Sequence, residues 1–210
     1  MARIALITAH PSLHSFNAAL ATAYRSGAER AGAVVSHLDL TALRFDPVLR
    51  GGFGEPMADE PDLALVRDEV ERADHVAWIF PTYWAALPAA LKALVDRLFL
   101  PGWAFRFEGK ALPTGLMRGR SARYVATMDS PAVWYWLAHH DALGGAFGRG
   151  TLAYVGFAPV QRDLIHGVRK LGPEARQRWI ARLGQRGQQD AEDAAVRVAK
   201  APRLPAAART

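Results

Sequence analysis

Short apolar runs of strand length alternate with longer stretches of helical period along most of the chain. Residues 3–9 form a β-rich apolar run that stops at His10-Pro11, where proline biases the preceding residue away from helix. Ser15-Phe16-Asn17 opens a helical stretch over 18–32, with Leu20 and Tyr24 among alanines, Gly27 a weak point and Gly32 a stop. Residues 34–40 read as a second strand. Leu63, Val66 and Val70 mark one face of a helix over 62–73, and 75–80 is a buried strand ending at Pro81. Residues 87–100 are helical again, with Pro88 in the first turn and Leu91, Leu94, Val95 and Leu98 facing inward. Residues 121–128 and 151–157 supply strands four and five, separated by a helix-like segment over 133–147. A last helix runs over 173–183. The Gly- and Pro-rich connection over 41–61 lacks periodicity and is too long for an idle turn.

Five strands alternating with helices predict an α/β fold: a doubly wound five-stranded parallel sheet with helices on both faces. Five strands suit the order 2-1-3-4-5 better than the six-stranded dinucleotide-binding order. One domain over 1–190 is expected, followed by a partly disordered tail over 191–210 whose last residues are rich in Pro and Ala.

Half of the 210 residues are hydrophobic, yet no apolar run approaches the roughly 20 residues of a membrane span. The start turns polar at His10 without a cleavage site, so no signal peptide is read there and a cytoplasmic address is expected. With no cysteine, thiolate catalysis and sulfur-based metal centres are excluded, and redox chemistry needs a borrowed cofactor. The net charge of +6 comes from scattered arginines without a nucleic-acid-binding signature. A mild positive potential would instead steer a phosphate-rich cofactor toward a cleft.

Ligands of such sheets bind beyond the carboxyl ends of the strands where strand order reverses, here between strands one and three. The loop after strand one lacks both the Rossmann glycines and the Walker pattern. It offers His10, Ser12, Ser15, Phe16 and Asn17 at a helix N-terminus, where free amides favour phosphate. Simple helix capping would by itself explain one serine. The loop after strand three presents Pro81, Thr82, Tyr83, Trp84 and Ala85, two adjacent aromatics suited to a flat ring, with core packing as the plainer reading. Thr127, Met128, Asp129 and Ser130 leave strand four on the same edge, where a turn with aromatics packing the next helix is equally compatible. His139-His140 do not make a metal site, because neighbours on a helix point about 100° apart and no carboxylate cluster supports them.

Four ordered motifs then carry a resemblance. They are His10 with Ser15-Phe16-Asn17; Leu38-Asp39-Leu40 running to Phe45-Asp46-Pro47-Val48-Leu49; Phe80-Pro81-x-x-Trp84-x-x-x-Pro88-Ala89-x-x-Lys92 with Asp96-Arg97; and Gly102-Trp103-Ala104-Phe105-x-Phe107. Over residues 3–183 the chain resembles the NAD(P)H:quinone reductases and related bacterial oxidoreductases of the flavodoxin-like fold. The resemblance implies that the first loop holds flavin phosphates and the ribityl chain, that 81–85 line the isoalloxazine, and that 127–130 meet its pyrimidine side. It makes Tyr135 and His140 the candidate catalytic residues and Phe105 and Phe107 an acceptor-pocket wall. Relatives carry glycines where this chain has Asp129 and Ser130, and a carboxylate near a reduced flavin is unfavourable unless it points away. The implied cofactor is FAD, with FMN as the alternative. The implied chemistry is ping-pong hydride transfer from NADH or NADPH through flavin N5 to quinone-type acceptors, in a homodimer. Two other roles stand beside it: ancillary partner of a membrane potassium-efflux system, and one-electron carrier, against which the positive charge counts.

Overall fold

The computed structural model describes residues 1–12, 14–55, 57–109 and 113–200. Strand β1 (Arg3–Thr8) leads into helix α1 (Phe16–Arg30), then β2 (Val34–Asp39), α2 (Pro61–Arg72), β3 (His75–Pro81) and α3 (Ala89–Leu98). A two-stranded ribbon follows, β4 (Phe105–Arg106) against β5 (Thr114–Gly115), then β6 (Ser121–Thr127), α4 (Ala132–His139), a π-helix over Gly144–Ala153, β7 (Val160–Ile165) and α5 (Pro173–Lys200). The main sheet is parallel, in the order β2-β1-β3-β6-β7, which is the expected 2-1-3-4-5 arrangement of its five strands. Central β3 and β6 are buried along their whole length; residues 76–80 of β3 are a continuous apolar run, whereas β6 carries the buried polar residues Ser121, Arg123 and Thr127. Helix α3 turns Leu91, Leu94 and Leu98 into one core layer, each stabilising the fold by roughly 1.5–3 kcal/mol through burial.

Three expectations are corrected. The fifth strand is not 151–157 but β7; residues 151–153 belong to the π-helix, and the β-rich run there buries Leu152, Val155 and Phe157 from helix and turn. β7 escapes the hydrophobic pattern because it is an edge strand whose Arg162 and Asp163 are committed to ion pairs. The helix expected over 133–147 breaks at His140 and Asp141, both with left-handed backbone. The last helix does not stop at 183; it runs to Lys200. Its apolar signal is weak there because glycine and alanine, rather than large side chains, meet α1. A Cβ on Gly187 would lie 2.0 Å from the Tyr24 carbonyl oxygen, and one on Gly27 would lie 1.9 Å from that of Gly184. Gly27, read from the sequence as a weak point of α1, is therefore where the two helices touch. The end of the expected tail, 201–210, lies outside the described residues.

The amino ends of the strands are tied by a buried polar network. Asp190 of α5 accepts from Tyr24 Oη (2.8 Å) and from Arg123 Nε (2.7 Å), and His75 Nε2 lies 3.2 Å from it. Arg123 also pairs with Asp163 at 2.6 Å, and His75 Nδ1 meets Ser121 Oγ at 2.7 Å. Burial and the Asp190 carboxylate keep the Tyr24 phenol protonated far beyond its usual range.

Candidate functional site

At the opposite edge, the loops leaving β1, β3 and β6 converge on a cavity of about 320 Å³ at the β1/β3 switch point. Its walls include His10, Phe16 and Asn17 from the first loop and α1, Pro81, Thr82 and Tyr83 after β3, and Thr127, Met128 and Asp129 after β6. Hydrogen bonds fix these loops to each other. The buried Asn17 amide donates to Thr127 Oγ1 at 2.9 Å, and the Thr82 N–H donates to the Thr127 carbonyl at 2.8 Å. His10 Nδ1 accepts the Ser12 N–H at 3.0 Å, which curls the first loop.

Two wall residues went unnoticed in the sequence: Val168, and Arg176 of α5. Arg176 donates to the carbonyls of Leu171 and Val168 and lies 5.1 Å over the Phe16 ring. Among the described residues no carboxylate pairs with it, so the cavity wall carries an uncompensated positive charge. No local pattern announces Arg176, because it is one of several arginines on α5 and reaches the loops only through the fold. Asp129 brings no matching negative charge into play: Arg169 pairs with it at 3.0 Å and its own N–H donates to it at 2.8 Å.

The turn after β3 holds strained backbone. Tyr83 and Ala86 exchange hydrogen bonds of 3.2 and 3.0 Å, closing a tight turn. Its two central residues, Trp84 and Ala85, have φ of 54° and 57°. Such primed turns favour Asn and Gly, and each non-glycine residue in this region costs about 1–2 kcal/mol. The amides of Trp84 and Ala85 find no acceptor among the described residues. Trp84 is 100% exposed and Tyr83 49%, so neither is a core residue. Beyond the turn opens a more apolar cavity of about 370 Å³, lined by Trp84, Ala85, Leu87, Lys92, His139, Leu143 and Phe147, among others.

The remaining candidates lie elsewhere. Ser15 caps α1, accepting the Ala18 N–H at 3.1 Å, and Ser12 accepts from the His14 N–H; neither lines the two cavities. The Ser130 carbonyl meets His166 Nδ1. Tyr135 is fully buried; its hydroxyl accepts the Leu143 N–H at 3.0 Å and reaches Asp141 at 3.4 Å, and burial pushes its ionisation upward. His140 is exposed at the end of α4, whereas its neighbour His139 faces the apolar cavity. Phe105 and the exposed Phe107 form an aromatic group with Phe53 and Tyr154, apart from both cavities within one chain. Among the described residues no cluster of His, Cys, Asp and Glu could hold a metal ion, and no helix is long and apolar enough to cross a membrane.

Known proteins align with this geometry. The profile of a family described as having the flavodoxin-like fold matches residues 2–189. The NAD(P)H dehydrogenase [quinone] 1 of Cavia porcellus is 25% identical over 202 residues, covering 85% of this chain and 74% of its own. An NAD(P)H oxidoreductase of Haemophilus influenzae is 27% identical over 195 residues, covering 87% and 93%. Among solved structures, the NAD(P)H:quinone oxidoreductase from Methanothermobacter marburgensis superposes with a TM-score of 0.77 at 21% identity, covering 89% of this chain and 98% of that one.

Proposed function

Because the chain belongs to the flavodoxin-like fold family, we propose that it is a flavin-dependent oxidoreductase that uses NAD(P)H to reduce quinone-type acceptors by two electrons. The observation that carries this reading is the cavity at the β1/β3 switch point, whose wall holds Arg176 without a carboxylate partner among the described residues and Tyr83 of the strained turn, with Trp84 and Ala85 of that turn lining the apolar cavity beyond it. A flavin would supply the chemistry this side-chain set lacks, taking up hydride from a nicotinamide and releasing it to an oxidised acceptor.

The residues present fit that group. Arg176, His10 and the amides leading into α1 would hold its phosphate. Thr127 and Asn17, locked to one another, would fix the polar middle of the molecule. Trp84 and Ala85 would offer backbone N–H groups to the heterocycle edge, which a turn held in one conformation does at little entropic cost. Asp129 is paired with Arg169 at 3.0 Å, which lessens its repulsion toward a reduced, anionic ring. The apolar cavity beside Trp84 would exclude water from the acceptor, with His139 and Lys92 as its polar groups. FAD is the form implied by the sequence resemblance. The relatives named above as NAD(P)H and quinone oxidoreductases support the donor and acceptor classes.

A homodimer belongs to the same proposal. Helix α4 is apolar on several sides, and Val133, Trp134 and Leu137 are exposed, as is Trp84; a helix of that kind is normally covered. A monomer at micromolar concentration in sedimentation would remove this part.

The test of the cycle is spectroscopic. Purified protein is expected to be yellow, to bleach with NADPH or NADH without oxygen, and to recover its colour with a soluble quinone. Acid-released flavin identified by chromatography decides between FAD and FMN. Failure to bind either flavin overturns the proposal.

A further inference from the structure

On the other face of the π-helix, away from Trp84, a third cavity of about 400 Å³ opens toward edge strand β7. Phe157, Pro159 and Val160 give it apolar walls, and Gly144 and Gly148 contribute no side chains. Two guanidinium groups, those of Arg149 and Arg162, also line it. They share one carboxylate: Arg162 Nη1 lies 2.5 Å from Asp141 Oδ1 and Arg149 Nη1 lies 3.6 Å from Asp141 Oδ2. One positive charge is therefore in excess. Arg162 is held in place from a second side by the Trp136 ring, 5.3 Å from its guanidinium carbon.

A further group points to an anion. Tyr124 is 1% exposed and lines the same cavity; its hydroxyl oxygen receives Arg162 Nη1 at 3.5 Å, while its own proton finds no acceptor among the described residues. A buried O–H donor without an acceptor is costly unless something accepts from it. The glycines keep the arrangement open. A Cβ at 144 would sit 2.0 Å from Asp141 Oδ2 and 2.3 Å from Arg162 Nη1, and one at 148 would sit 3.2 Å from the Tyr124 hydroxyl. π-Helical segments are rare, and the short ones found inside α-helices are frequent at functional sites.

We propose that this cavity binds a monoanionic carboxylate with a flat apolar body, its carboxylate held by Arg149, Arg162 and the Tyr124 hydroxyl. The planar fork of arginine matches a carboxylate. One surplus positive charge matches a monoanion better than a phosphate dianion, and the apolar walls suit a ring system. The volume falls at the lower end of the range for small-molecule sites. The site is separate from the flavin cavity and independent of the proposed redox reaction. It shares only the π-helix with the apolar cavity beside Trp84.

The test uses 2-naphthoate as probe, titrated calorimetrically into the full chain as purified, with the uncharged 2-naphthamide as control. Saturable binding of the acid and at least tenfold weaker binding of the amide are expected. Arg149→Glu, at an exposed position, should weaken naphthoate about tenfold or more. Lys92→Ala, which faces the Trp84 cavity, should leave it unchanged. The proposal is overturned by absence of saturable binding at millimolar naphthoate, by equal affinity for the amide, or by loss of binding in Lys92→Ala with retention in Arg149→Glu.

Discussion

The two ends of the same sheet are built to opposite rules. At the amino ends of β3 and β6, His75, Ser121 and Arg123 are buried; His75 meets Ser121 and Asp190, Arg123 pairs with Asp190 and Asp163, and Tyr24 donates to the same Asp190. At the carboxyl ends the chain leaves a charge without a counterion at Arg176, two turn amides without acceptors, and two consecutive left-handed residues in a turn that carries a fully exposed Trp84. One end spends its polar groups on stability; the other holds them in reserve for a ligand. Strain of this kind persists only where the surrounding structure over-determines it. Rigid β3, anchored at His75 and buried throughout, is what presents the turn at its far end.

The largest expected effect is at the anchored end. Asp190→Ala removes the acceptor of Tyr24 and one of the two carboxylates of Arg123. Breaking a buried pair costs about 3–5 kcal/mol; the lower figure applies here because Asp163 still pairs with Arg123. Guanidinium unfolding followed by circular dichroism measures it, and a loss below about 1 kcal/mol would mean that the two ends do not differ as described. The same group sets an acid limit. Burial alone would raise the Asp190 carboxyl, but hydrogen bonds from His75 and Arg123 outweigh it and hold it well below the usual carboxylate range. A folded value below the unfolded one, about 3.9, gives stability that is complete above the unfolded value and drains away as pH falls toward the folded one. The wild-type protein should therefore lose stability steeply below about pH 4, and Asp190→Asn should lose less over the same interval.

A middle-sized effect is expected where α5 meets α1. Gly187→Ala puts a methyl 2.0 Å from the Tyr24 carbonyl oxygen, which the two helices relieve only by separating. Overpacking of this sort costs about 1–3 kcal/mol. It also moves Tyr24 relative to Asp190, so the acid sensitivity should change together with the unfolding midpoint. A destabilised variant with an unchanged acid profile would show that the helix contact and the network act separately.

These same regions show what the sequence makes legible. The central strands and α3 are visible because burial on one or two faces forces uninterrupted or periodic apolar residues, as in residues 75–80 and at Leu91, Leu94 and Leu98. Edge strand β7 is hidden by Arg162 and Asp163, and the second half of α5 by glycines whose role is to be absent. At the site, His10, Asn17, Thr82 and Thr127 are legible because the sheet order names the loops in advance. Arg176 and His139 are not: one approaches from the far end of the chain, and the other differs from His140 only through the backbone reversal that ends α4. Residues 151–157 mislead because β-branched and aromatic residues also fill helical and turn positions when packing favours them.

The smallest effect is the sharpest test of the comparison. If the turn after β3 is strained for the sake of its ligand, relieving it should make the empty protein more stable. Ala85 has φ 57°, a region glycine occupies without penalty. Ala85→Gly removes about 1–2 kcal/mol of strain but returns about 0.4–1 kcal/mol to the unfolded chain as entropy. The balance is a gain between about 0 and about 1.6 kcal/mol, centred on about 0.8 kcal/mol, read as a small rise in the melting temperature of flavin-free protein. Ala86→Gly is the matched control, one residue further on and outside the left-handed region; it carries the entropy cost without the relief and should lower stability. With flavin bound the order should shrink or reverse, because a turn free to sample other conformations pays an ordering cost on binding that the alanine has already met. Equal shifts for the two variants, with and without flavin, would mean that the left-handed turn holds no strain for the site to use.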